Sequence, residues 1–194
     1  MNADNSLVTS KLKRWHKYLN EYTLPDWKNI PDIGLYMEQV IELLKHYLDY
    51  LPPELKEEQF ITAATINNYV RMKVMPEPIK KKYYRIHIAY LILILTMKSG
   101  ITISLIQRLI PADMSEEEIH LFYDQYYDLH RKTCNYFADE IASISAPILD
   151  NGEENVISIE TADKLVAFSA IMSGFTHLLA EKLLLLDSVG NDSE

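Results

Sequence analysis

A single cysteine, Cys134, in 194 residues excludes an internal disulfide, and nothing else in the chain reads as a secreted, cross-linked framework. Glycine (5) and proline (8) are too few for a low-complexity chain, and with 48% hydrophobic residues the composition argues against disorder and for an α-rich fold. No apolar run reaches the roughly 20 residues that span a bilayer. The two longest, "AYLILILTM" (89–97) and "LVAFSAIMSGFTHLLA" (165–180), read as core helices, and the second contains His177. The N-terminal "MNADNSLVTSKLKRWHKYLN" has no uninterrupted apolar segment and no small-residue cleavage site. It therefore predicts no signal peptide, a chain that starts where it is written, and a cytoplasmic location. A Gly-rich phosphate loop, a Ser or Cys nucleophile motif and zinc-ligand spacing are also lacking. The expectation is a protein that is not an enzyme, with no cofactor and no metal.

Charge is what the sequence has in uneven supply. The net charge is -9, yet residues 62–111 hold Arg71, Lys73, Lys80, Lys81, Lys82, Arg85, Lys98 and Arg108 against Glu77 alone, for +7. Residues 112–194 carry -13. A basic module sits inside an acidic protein.

Periodicity orders the chain into helices. Residues 7–22 read as a short N-terminal helix, stopped by "TLPDWKNIPDIG", in which Trp27 and Ile30 can brace a core. From Leu35 the positions Met37, Val40, Ile41, Leu44, Tyr47, Leu48 and Leu51 make an amphipathic helix ended by Pro52-Pro53. Thr62 can cap a helix over 63–72, with Ala63, Ile66, Tyr69 and Val70 inward and Thr65, Asn68 and Arg71 outward. Pro76 and Pro78 forbid helix through 73–84 and leave a short turn or hairpin loaded with lysine. A buried helix follows over 85–98, stopped by Gly100, then a short one over 102–110 ended by Pro111. The acidic remainder reads as two long helices, about 115–145 and 159–187, the first opened by a capping box of Ser115 and Glu118. Their apolar seams can close on each other or on a second copy of the chain.

Helix, break, capped polar-faced helix, basic turn, buried helix is a plausible order for a winged helix-turn-helix. The residue types suit that chemistry. Asn pairs with the N6/N7 edge of adenine and Arg with O6/N7 of guanine, each worth roughly 1–3 kcal/mol of discrimination. The base-reading candidates are Asn68 and Arg71, with Thr65 and Asn67, and the phosphate-gripping candidates are Lys73, Lys80, Lys81 and Lys82. Ile66, Tyr69 and Leu91 would hold the reading helix on the buried one. Neutralising phosphates with about five of the basic groups predicts a log-log salt slope of roughly -4.5.

The runs "TINNYVRMKVMPEP", "KKKYYRIHIAYL" and "SGITISLIQRLI" resemble the MerR-type winged helix-turn-helix. The span from "LPDWKNIPDIGLYMEQV" to about Ile110 resembles more closely the bacterial domain of unknown function 1836 family, whose members are regarded as MerR-like DNA-binding proteins. The MerR pattern has a helix Tyr where Tyr69 stands, an apolar pair and Pro at Val74, Met75 and Pro76, and a Tyr before the third helix at Tyr83. The resemblance thereby adds Tyr83 to the phosphate-binding set. Asn67 stands where Arg is common, Lys73 where Gly ends the helix, and the wing Arg falls near Lys81. Lys in place of that Gly predicts a different turn. MerR proteins dimerise through one C-terminal helix, so two long helices imply a different dimer or sensor domain.

The resulting expectation is an all-α protein in three parts. Residues 1–34 form an N-terminal helix and bracing segment, 35–111 a MerR-like winged helix-turn-helix with a short β-hairpin as its wing, and 112–194 an acidic domain of two long helices for dimerisation or effector binding. The function expected is sequence-specific transcriptional regulation on double-stranded DNA, as a homodimer away from membranes. The competing expectation is an acidic helical protein-protein interaction module on a helix-turn-helix scaffold without DNA binding, since a charge of -9 repels DNA at long range. Three further features read as structural. The Glu117/His120 pair has the spacing of di-iron bundles but fits a solvated helix face, Cys134 lies beside the apolar seam, and "FYDQYYDLH" (122–130) fits core packing better than a pocket wall.

Overall fold

The structure, a computed structural model, describes residues 13–14, 16–48, 61–98, 100–144, 167–168 and 170–179. Among these the chain is helical with no strand: α1 over 16–21, a 3-10 turn at Trp27–Asn29, α2 Met37–Tyr47, α3 Ala63–Arg71, α4 Arg85–Met97, α5 Ile103–Leu109, α6 Glu116–Ile144, and α7 over 170–179. None of the described helices is long and apolar enough to cross a membrane. The break over 49–60 and most of the expected helix over 159–187 lie outside the described residues.

α4 is the hub. From His87 to Met97 every residue is buried, because apolar side chains surround the whole circumference and a neighbour must cover each face. α2, α5 and α6 supply that cover, and α3 packs on α2. α3, the expected reading helix, packs on α2, with Ile66 and Tyr69 buried beneath it. Polar groups lock the layers where apolar packing alone has no register. Thr96 Oγ1 bonds back to the Ile92 carbonyl at 2.8 Å and meets the Tyr126 hydroxyl at 2.7 Å, tying α4 to α6. Tyr90 donates to the Pro111 carbonyl, and its burial pushes the phenol up to about 12.

The capping box at α6 forms as expected. Glu118 Oε2 accepts from the Ser115 backbone N–H at 2.8 Å and Ser115 Oγ from that of Glu118 at 3.3 Å. α6 and α7 close on each other within the chain, with Phe137 and Phe175 ring centroids 5.4 Å apart. Gly100 lets that closure happen: a Cβ there would stand 2.3 Å from the Ala170 carbonyl oxygen.

Two sequence expectations need correction. Leu35 does not start α2. It is extended and pairs antiparallel with Tyr83, exchanging backbone hydrogen bonds of 2.9 and 2.8 Å. Ala63 does not face inward; it occupies the first turn of α3, before the helix meets its neighbour, and is exposed.

Candidate nucleic-acid interface

The candidate site spans α3, the turn after it and the lysine turn that leads into α4. Thr62 caps α3 through its hydroxyl, which accepts from the Thr65 backbone N–H at 3.1 Å. Thr65 Oγ1 lies 3.0 Å from Thr62 Oγ1, so the first expected base reader is half-buried and engaged in the cap. Asn67 and Arg71 are exposed one turn apart, and Asn68 is half-buried between them. Arg71 donates from Nη2 to Asn68 Oδ1 at 2.7 Å, while Asn68 Nδ2 contacts Met72 Sδ at 3.3 Å. Asn67 therefore continues the exposed row of Arg71, a place the sequence reading gave to Thr65.

α3 ends in a left-handed turn despite carrying lysine there. Lys73 has φ 55°, its N–H bonds the Val70 carbonyl at 3.0 Å and the Val74 N–H bonds that of Tyr69 at 2.9 Å. These are the two bonds of a Schellman motif, with Val74 and Tyr69 buried beneath it. The expectation of a different turn is thus corrected: lysine adopts the conformation that glycine favours. A second support comes from α5, where Gln107 donates from Nε2 to the Lys73 carbonyl at 3.0 Å. Nothing in "SLIQRLI" marks that role, since its partner lies 34 residues upstream.

The lysine run folds as a tight hairpin turn. Ile79 and Lys82 exchange two backbone hydrogen bonds of 3.0 Å, with Lys80 (φ 51°) and Lys81 (φ 65°) between them. Positive φ at both central residues is the requirement of a type I′ turn. Lys80 and Lys81 are exposed, but Lys82 turns back. Its stem packs over Gly34, where a Cβ would stand 2.7 Å from Lys82 Cδ, and its Nζ lies 5.3 Å from the Tyr36 ring centroid. Tyr83 is only 2% exposed and packs edge-on against His87, which raises its phenol pKa through burial. It holds the turn from inside, where the resemblance had put it among the phosphate contacts.

His87 fixes the other flank. Its Nδ1 accepts from the Tyr84 N–H at 3.0 Å, so the proton sits on Nε2, which donates to the Glu77 carbonyl at 2.9 Å. Burial lowers its pKa and keeps the ring neutral. Arg85, counted among the basic groups, faces the bracing segment instead. Nε donates to the Ile30 carbonyl at 2.8 Å, and the guanidinium lies 5.9 Å from the Trp27 ring centroid. Lys98 is half-buried, which lowers its pKa. The exposed cations of residues 62–111 are consequently Arg71, Lys73, Lys80, Lys81 and Arg108.

The remaining sequence candidates sit elsewhere. His120 stacks on Trp27 with ring centroids 4.4 Å apart and pairs with Asp124, and Glu117 is exposed. Cys134 is buried, its thiol pKa pushed up by desolvation, with Sγ 3.5 Å from His130 Nδ1. No curated protein and no solved structure matches the chain. A family model does: that of a domain of unknown function, DUF1836, matches residues 25–130, from the bracing segment through the hairpin turn and into α6. That match spans more than half of the 194 residues, and the chain belongs to the DUF1836 family.

Proposed function

We propose that the chain is a sequence-specific, double-stranded-DNA-binding transcription regulator of MerR-like type, acting as a homodimer in the cytoplasm and not as an enzyme. In this reading α3 enters the major groove, Asn67, Asn68 and Arg71 reach base edges, and the I′ turn is the wing. One observation carries it. Among the described residues, the non-glycine positions with positive φ are Lys73, Lys80 and Lys81, and all three are lysine. A side chain in the left-handed region costs about 1–2 kcal/mol per residue, a cost that glycine avoids and asparagine reduces. Lysine at three such positions, each exposed, favours a role for the charge outside folding. Phosphate neutralisation is a chemistry that exposed ammonium groups perform.

A second reading, an acidic interaction module without DNA contact, is favoured by Ile79 (56% exposed) and Met72 (47% exposed), apolar side chains next to Lys80 and Lys73 in the sequence. Titrating the protein with a fluorescent random-sequence duplex over a range of salt separates the two. The DNA reading expects a log-log slope of roughly -2.7 or steeper, about -0.9 for each of the three left-handed lysines on a phosphate, and a flat salt dependence supports the interaction module.

A further inference from the structure

α1, the 23–29 segment, the C-terminal end of α2 and the first half of α6 line an open cavity of about 450 Å³. That volume holds a small organic ligand. Tyr18, Tyr22, Tyr47 and Tyr127 line it together with Glu21, Asp26 and His46, and among the described residues no Lys or Arg contributes to its wall. The wall is already braced. Tyr22 donates its hydroxyl to the Tyr47 carbonyl at 2.6 Å, Tyr47 donates to the Asn29 carbonyl at 3.1 Å, and Tyr123 on α6 holds the Pro25 carbonyl at 2.8 Å. Asp26 is fixed by the Asn29 N–H, which donates to Oδ1 at 2.8 Å, and the Tyr18 and Tyr22 rings stack with centroids 5.9 Å apart.

With their hydroxyl protons engaged by backbone carbonyls, Tyr22 and Tyr47 offer a ligand chiefly their π-systems, which are negative on the face. Two carboxylates add formal negative charge. An anion meets repulsion from both, whereas a cation with apolar substituents is attracted by rings and carboxylates alike. Two resident cations already touch the site: Lys17 pairs with Glu21 at 3.8 Å and the Arg131 guanidinium lies 5.9 Å from the Tyr127 ring centroid, but all these side chains except the tyrosine are exposed and such contacts are weak, so a ligand can displace them. We propose that this cavity binds a small organic cation, an alkylammonium or guanidinium compound, against the tyrosine rings with Asp26 and Glu21 as counter-charges. The inference does not rest on DNA binding, and its test contains no DNA.

Calorimetric titration of the full chain with benzyltrimethylammonium chloride, sodium benzoate and benzyl alcohol tests it. Saturable one-to-one binding of the ammonium compound is expected, with no binding of benzoate and binding of the uncharged alcohol at least about tenfold weaker. Asp26→Asn keeps a capping side chain for the 3-10 turn and should weaken the ammonium compound about five- to tenfold, as should Tyr127→Leu. Glu21→Gln, at an exposed position that does not threaten the fold, should weaken it about two- to threefold. Absence of saturable binding, equal affinity for the alcohol, or affinity unchanged in all three variants would overturn the proposal.

Discussion

His87 donates from Nε2 to the carbonyl oxygen of Glu77 across 2.9 Å, clamping the proline-flanked entry to the lysine turn onto the buried helix α4. Its other nitrogen receives the Tyr84 N–H at the exit, so one neutral ring holds both ends of the turn. His87→Ala should leave two backbone groups without their partner and cost about 1–3 kcal/mol. Amide exchange is the specific readout. The Tyr84 N–H should lose protection in the variant while amides in α6 keep theirs.

Acid should weaken the fold through His130. This ring is buried among Tyr22, Tyr126 and Phe175, and desolvation lowers its pKa from 6.5 to about 3. The depressed folded value means the unfolded chain binds the proton more readily. Stability is therefore full above about pH 6.5 and is lost progressively as pH falls towards 3, by about 3 kcal/mol at pH 4 from this group. Urea unfolding at pH 7 and pH 4 measures the loss, and His130→Phe should show a smaller difference between the two.

Two glycines separate rigid from yielding neighbours. At Gly100 a Cβ meets the Ala170 backbone at 2.3 Å, and at Gly34 it meets the flexible Lys82 stem at 2.7 Å. Gly100→Ala should destabilise by about 1–3 kcal/mol because helix α7 must move. Gly34→Ala should cost less than Gly100→Ala, because the Lys82 stem can give way and the Lys82 Cβ and Tyr84 ring, each at 3.1 Å, need to shift by only a few tenths of an ångström. Thermal unfolding of the two variants side by side checks the order.

The lysines with positive φ predict a trade between stability and binding. Lys73→Gly, and separately Lys80→Asn with Lys81→Gly, should each stabilise the fold by about 1 kcal/mol by relieving left-handed strain. Each should at the same time lower affinity for duplex DNA and flatten its salt dependence, by about 0.9 in slope per lysine removed. Denaturant midpoints and salt titrations on the same preparations test both halves. Stabilisation without loss of DNA affinity would leave the left-handed lysines with no explanation in DNA binding.

What the sequence made legible divides along contact range. The caps at Thr62 and Ser115 follow from a spacing of three, the burial of α4 from His87 to Met97 from a helix apolar almost all round, and the α6 seam at Ile119, Tyr126, Leu129, Thr133 and Phe137 from steps of three and four, and these form where expected. The pairing of Leu35 with Tyr83 does not follow, because it spans 48 residues and a one-residue bridge leaves no alternating pattern to read. Tyr83 reads as a surface aromatic beside three lysines, yet the I′ turn reverses the chain and delivers its ring to the core. Arg85 and Gln107 likewise show only charge and polarity in sequence, while their partners, the carbonyls of Ile30 and Lys73, come from distant segments. In the candidate site the lysines were legible as charge, but the left-handed backbone beneath them was not, since lysine is the wrong residue for predicting it.

The central claim is that the exposed row of α3 reads base sequence while the turn lysines grip phosphate. Selection of bound sequences from random duplex DNA at about 50 mM salt, with the wild type, Arg71→Ala and Lys81→Glu, tests it most directly. The account predicts a motif enriched by the wild type, loss of preference at one base position with Arg71→Ala, and an unchanged motif bound more weakly by Lys81→Glu. A wild-type protein that enriches no sequence would contradict it.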